Sequence, residues 1–175
     1  MASIKSFTVA AVAERLSKIT GQSAQYHARQ VRHWAALGLF PDARFPVGGG
    51  PTAPREFVEK HIVEALIFTI LSGQGVTADQ LANVRGCFSN SSEPAFMEKV
   101  EGGWAGRRGL GGALEWRIKH PEDAIFFYTY ANLLGEVAAG AFTRKPDIAD
   151  GLLTGPYPIT TVIRLDYLLN DILAD

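Results

Sequence analysis

The chain has 175 residues, of which 47% are hydrophobic and 20% charged, and its formal net charge is −1. That composition belongs to an ordinary folded protein and argues against disorder along the whole length. The longest apolar run, 62–71, is broken by Glu64 and too short to span a bilayer, and the single cysteine, Cys87, rules out an intrachain disulfide.

The N-terminal residues lack the apolar core and cleavage pattern of a secretory signal, so a cytoplasmic, nucleoid-associated protein with no membrane partner is expected. The near-zero net charge hides an asymmetry. Residues 1–60 carry eight Lys/Arg against four Asp/Glu, a surplus of +4, whereas residues 61–175 carry nine against fourteen, a deficit of −5. A basic N-terminal part favours a polyanion there, and an acidic remainder would be repelled by phosphates.

Thr8 is placed to cap a first helix in which Val9, Val12, Ala13 and Leu16 form one apolar stripe. Gly21 ends it, and Ser23 can cap a second helix. There Ala24, Ala28, Val31 and Ala35 share a face, with Gln25, Tyr26, Arg29, Arg32 and His33 opposite. Gly38 is placed as the C-terminal stop. Residues 41–54, with four prolines and three consecutive glycines, form a turn-rich excursion. A helix over 58–71 follows, with Ile62, Ala65, Leu66 and Thr69 on one side. Gly73-Gln74-Gly75 breaks it, and Thr77 caps a short helix that buries Leu81, Val84 and Phe88.

The composition shifts near 89–93, where a domain boundary is expected. Residues 95–100 read as a helical turn or two, and the glycine-rich 102–112 as a flexible connector. The alternation of Leu114, Trp116 and Ile118 reads as a strand, and 120–123 as a turn. Strands are expected over 124–130, 136–143 and 159–165, with the second pairing with the first. Asp166 is placed to cap a last helix, 167–173.

In the first half, Arg32-His33-Trp34 leads into Gly38-Leu39-Phe40-Pro41, and the loop beyond holds Arg44 and ends in Arg55-Glu56-Phe57. Gly75-Val76-Thr77 then precedes the short helix. In this order the motifs resemble the winged helix–turn–helix of the mercury-resistance-regulator (MerR) family. There an arginine and two aromatic residues follow the recognition helix, a Gly-Leu-Leu-Pro turn comes next, and the wing closes on Arg-x-Tyr/Phe. The resemblance implies a mainly α N-terminal winged helix–turn–helix at 7–88, followed by an α+β C-terminal domain at 93–175 for dimerisation or signal sensing. The long helix with which members of that family dimerise has no counterpart, since no heptad pattern follows Phe88.

Gln25, Tyr26, His27, Arg29, Gln30, Arg32 and His33 are then the candidate DNA-binding residues on the recognition helix, with Arg44 and Arg55 on the wing. Arginine pairs with guanine O6/N7 and glutamine with adenine N6/N7. Wing arginines suit phosphates or a narrow minor groove. Trp34 and Phe57 are expected in the core. The expected function is sequence-specific binding of double-stranded DNA as a homodimeric bacterial transcription regulator, with RNA polymerase a further candidate partner. Two alternatives remain. Val31-Arg32-His33-Trp34-Ala35 also resembles the recognition helix of excisionase-type DNA-bending factors, and the acidic second half suits an adaptor that has lost DNA binding. Four scattered histidines lack metal-ligand spacing, and no nucleophile–base pair or phosphate-binding loop stands out. No enzyme activity, cofactor or metal is expected. The aromatic cluster Trp104, Trp116, Phe126, Phe127, Tyr128 and Tyr130 reads as core or interface rather than as a ligand pocket.

Overall fold

The computed structural model describes residues 5–43, 55–91, 96–132, 134, 136–144 and 159–173. The loop read as a wing, with Arg44 in it, lies outside the described residues. So does the side chain of Trp104. The described residues are an α+β mix of helices with two small antiparallel sheets, of two and three strands. They form two compact units, 1–74 with 170–175, and 75–169. Among the described residues no helix is long and apolar enough to cross a membrane.

In the first unit, α1 (Val9–Thr20) is capped by the Thr8 hydroxyl, which accepts from the Ala11 N–H at 3.2 Å. Gly21 ends it at φ 74°, a left-handed conformation that glycine adopts without a Cβ clash. After three residues α2 (Ala24–Ala36) starts under its own cap, Ser23 Oγ accepting from the Tyr26 N–H. Leu37 and Gly38 then turn the chain so that Leu39 and Phe40 point inward.

Phe40 sits at the centre of a buried aromatic group. Its ring lies 5.4 Å from Phe57 and 5.8 Å from Phe68, and Phe68 meets Trp34 at 5.5 Å. Phe57 also exchanges two backbone hydrogen bonds with Phe7, at 2.7 and 2.9 Å, tying the chain ahead of the next helix to the chain before α1. In α3 (Glu59–Gly73) every residue from Ile62 to Phe68 is buried, so the one-sided stripe expected there is instead a helix buried all round. The end of the last helix, α6 (Asp166–Leu173), belongs partly to this unit, and there the Arg15 guanidinium donates to the Ile172 carbonyl.

The second unit opens with α4 (Ala78–Gly86), where Thr77 and Gln80 cap each other reciprocally, followed by a 3-10 turn (Cys87–Ser89). Its main sheet has the order β4 (Val137–Thr143), β3 (Phe126–Ala131), β5 (Ile159–Arg164), antiparallel throughout. The expected pairing of the first two strands is present, with Phe127 opposite Phe142. Those two rings, 4.7 Å apart, meet Phe88 and form the core.

Between the 3-10 turn and the sheet, the structure departs from expectation. Residues 97–100 are not helical but form β1 (Met97–Val100), which pairs with β2 (Gly103–Gly106) in a hairpin. The expected strand over 114–118 is part of a helix, α5 (Gly109–Lys119). Its buried residues Leu110, Ala113, Trp116 and Arg117 follow helical spacing, whereas Ile118 is 69% exposed. The supposed connector is β2 plus the first turn of that helix, and three of its glycines, Gly106, Gly109 and Gly112, serve close packing. Gly109 has φ 66°, and a Cβ on it or on Gly112 would fall on the carbonyl oxygen of Phe88 or Arg107, respectively.

That packing gives adjacent glycines opposite roles. Gly112→Ala is expected to destabilise the protein by roughly 2–3 kcal/mol, through a clash with backbone that cannot yield. Gly111→Ala, whose Cβ would meet only the end of the Arg107 side chain at 3.8 Å, should be neutral or stabilising by up to about 1 kcal/mol. Urea unfolding of the two variants checks this. Equal effects would mean that the segment is not packed as described.

Candidate nucleic-acid interface

The second helix separates its residues by chemistry as well as by burial. His27, Val31, Trp34 and Ala35 recur at i, i+4, i+7 and i+8 and are buried. Gln25, Arg29, Arg32 and His33 recur on the opposite face and are exposed, with Tyr26 at its margin and Gln30 half-buried. The helix contains no carboxylate. Its solvent-facing side therefore presents two guanidiniums, an amide and an imidazole, with no internal anion to neutralise them. Lys18, in the last turn of α1, is exposed as well.

The opposite face of the helix is packed into the core. Trp34 is 2% exposed and wedged against Phe68, and Val31 is fully buried. Burial of side chains of this size contributes on the order of 2 kcal/mol each. Arg55 is half-buried, two residues before the Phe57–Phe7 backbone pair. Elsewhere in the unit the cation Lys60 is taken by Asp42, at 2.5 Å.

One expected contact residue is misplaced. His27 does not face solvent: it is 0% exposed and lies under the turn between the helices. Its Nε2 is 2.7 Å from the Thr20 hydroxyl, which itself donates to the Leu16 carbonyl at 2.8 Å. With the hydroxyl proton committed to Leu16, Thr20 can only accept, so His27 carries its proton on Nε2. Nδ1 is left buried without a hydrogen-bond partner. Burial pushes the His27 pKa below its ordinary value of 6.5, which favours the neutral ring. The reason is positional: His27 shares the helical face of Val31 and Trp34, not that of Arg29 and Arg32.

Comparison with protein-family models, with curated proteins and with solved structures finds no match to this chain. The residues of the chain are thus the whole basis for assigning a function. Among the described residues, no group of three or more His, Cys, Asp or Glu side chains is arranged to hold a metal ion.

The aromatic cluster of the second unit is largely engaged in packing. Trp116 donates from Nε1 to Asp123 at 2.7 Å, stacks on His120 at 4.1 Å, and carries the Arg144 guanidinium 3.9 Å from its ring centroid. Phe127 and Tyr128 are buried, and burial together with the neighbouring Tyr130 hydroxyl pushes the Tyr128 pKa up to about 12. Cys87 is buried, and its thiol pKa is raised by that burial, the opposite of an activated thiolate.

The Thr20–His27 pair contributes a pH dependence whose sign follows from its environment. The folded chain holds His27 neutral, while the unfolded chain takes up a proton near pH 6.5, so lowering the pH favours unfolding. Stability should fall between pH 7.5 and 5.5, with a ceiling of about 1.4 kcal/mol per pH unit below about 6.5. In His27→Gln, whose amide can still donate to Thr20 but does not titrate, that part of the slope should vanish. Urea unfolding at the two pH values measures it, and an equal slope in both proteins would contradict the assignment.

Proposed function

We propose that this protein binds double-stranded DNA through α2 and acts as a transcription regulator. The observation that carries the reading is the solvent-facing side of α2, where Gln25, Arg29, Arg32 and His33 stand together without a carboxylate. A helix of 13 residues is about 20 Å long and of a diameter that a major groove admits. Held by Trp34 on its buried side, it can be laid in the groove with Arg29 and Arg32 toward guanine edges or phosphates and Gln25 toward adenine.

The turn between α1 and α2 and the motif run Arg32-His33-Trp34 to Gly38-Leu39-Phe40-Pro41 support a winged helix–turn–helix resembling that of the mercury-resistance regulators. In this reading residues 44–54 would supply the wing, and Arg44 and Arg55 would serve as its contacts to the phosphate backbone. His27 is withdrawn from the contact set, and Thr20 enters as its internal partner. The second compact unit argues for a regulator over a small DNA-bending factor, because it supplies a separate body for dimerisation or signal sensing. A homodimer doubles a small interface and reads paired half-sites. RNA polymerase is a candidate contact for the acidic second half.

Fluorescence anisotropy with a labelled duplex, at about 50 and 200 mM salt, tests the reading. Binding should weaken steeply with salt, since each phosphate contact contributes a slope near −0.9 on logarithmic axes. Arg29→Ala and Arg32→Ala should each weaken binding by about 1–3 kcal/mol while leaving the melting temperature within a few degrees, as both side chains are exposed. Absence of binding by the wild type at low salt would contradict the proposal.

A further inference from the structure

The turn between α1 and α2 holds a partly buried polar relay of three groups. The Leu16 carbonyl accepts from the Thr20 hydroxyl at 2.8 Å, and that hydroxyl meets His27 Nε2 at 2.7 Å. The Gln22 N–H reaches the same oxygen at 3.3 Å, so one hydroxyl gathers the end of α1, the turn and the second turn of α2. His27 is fully buried, and its ring meets Tyr26 edge-on at 5.3 Å. An apolar residue at 27 would satisfy the packing beside Val31 and Trp34 equally well. A histidine costs desolvation of its ring nitrogens, and its Nδ1 has no hydrogen-bond partner. What the histidine adds over an apolar side chain is direction, because a hydrogen bond fixes distance and angle where apolar contact does not.

We propose that Thr20 and His27 are positioning residues that set how α2 is held against α1, and thereby where Arg29 and Arg32 are presented. The inference rests on the DNA-binding reading for its functional half. Arg29 lies two residues beyond His27 and Arg32 five on the same helix, so a reorientation of α2 at position 27 moves both guanidiniums. Ser23 caps the helix start but bonds only within α2, to Tyr26, and so cannot fix α2 relative to α1. The Thr20–His27 bond is the direct side-chain hydrogen bond that does so among the described residues of this turn.

The test uses the full chain with Thr20→Val, which keeps the shape and removes the hydroxyl, and Thr20→Ser, which restores the hydroxyl. Two readouts separate positioning from bulk stability. Amide hydrogen exchange on the protein alone should be about tenfold faster over residues 24–30 in Thr20→Val, with residues 62–68 unchanged and Thr20→Ser close to wild type. Affinity for a labelled duplex at low salt, measured where far-UV circular dichroism shows every variant folded, should fall about tenfold in Thr20→Val and within twofold of wild type in Thr20→Ser. Wild-type exchange over 24–30 in Thr20→Val overturns the inference. Unchanged duplex affinity in that variant, with a wild type that binds, also overturns it and leaves the DNA-binding reading intact. A wild type that binds no duplex overturns both.

Discussion

The first unit depends on the burial of Phe40. This residue stands just past α2, yet its ring touches Phe57, just ahead of α3, and Phe68, in the middle of α3. Through Phe68 it is linked to Trp34 on the inner face of α2, and through Phe57 to the backbone of Phe7 ahead of α1. Edge-to-face aromatic pairs of this kind add about 0.5–1.5 kcal/mol each beyond the area they bury. Four chain segments therefore converge on one apolar centre, and α2 cannot shift without disturbing it. Because the inner face of α2 is held in this way, the outer face can consist of polar side chains that contribute little to folding and are available for a partner.

The second unit meets a different constraint, that of bringing backbone close to backbone. A three-stranded sheet stacks Phe127 and Phe142 against Phe88, and the start of α5 must approach the 3-10 turn so closely that Gly109 leaves no room for a Cβ, while Gly112 meets the Arg107 carbonyl in the same way. The C-terminal end of α5 is closed by Trp116 and Arg117, which donate to Asp123 and to the carbonyls of Pro121 and Asp123. On the sheet edge beside β4, Asn83 and Asn90 donate side-chain amides to the carbonyls of Val137 and Gly140. A body so closely packed suits the proposed role of a dimerising or sensing domain better than that of a passive tail.

The elements that could be read from the sequence are those with chemical punctuation. Thr8, Ser23 and Thr77 accept the first-turn N–H groups expected of caps, Gly21 ends α1, and the aromatic, β-branched runs over 126–131 and 159–164 are strands. The elements that could not be read lack such marks. In α5 three glycines suppress the helical signal, and the purpose of Gly109 and Gly112 appears only when Phe88 and Arg107 are brought against them. The hairpin of β1 and β2 is mostly exposed, so it has no apolar alternation to detect. At the candidate interface, Gln25, Arg29, Arg32 and His33 lie where helical spacing puts them. His27 reads as a surface residue by its polarity, although its spacing from Val31 and Trp34 places it inside. Thr20 carried no signal of its own, since its role depends on a partner across a turn.

The central claim is that the outer face of α2 is the surface that meets duplex DNA. Its most direct test is the two-dimensional nitrogen–proton NMR spectrum of the labelled full chain, recorded during titration with a short duplex at low salt. The account predicts that amide shifts concentrate over residues 23–36, together with the region around Arg55, and that they reverse when salt is raised. Residues 126–131 of the sheet should stay in place. Shifts confined to the second unit, or a spectrum that the duplex leaves unchanged, would contradict it.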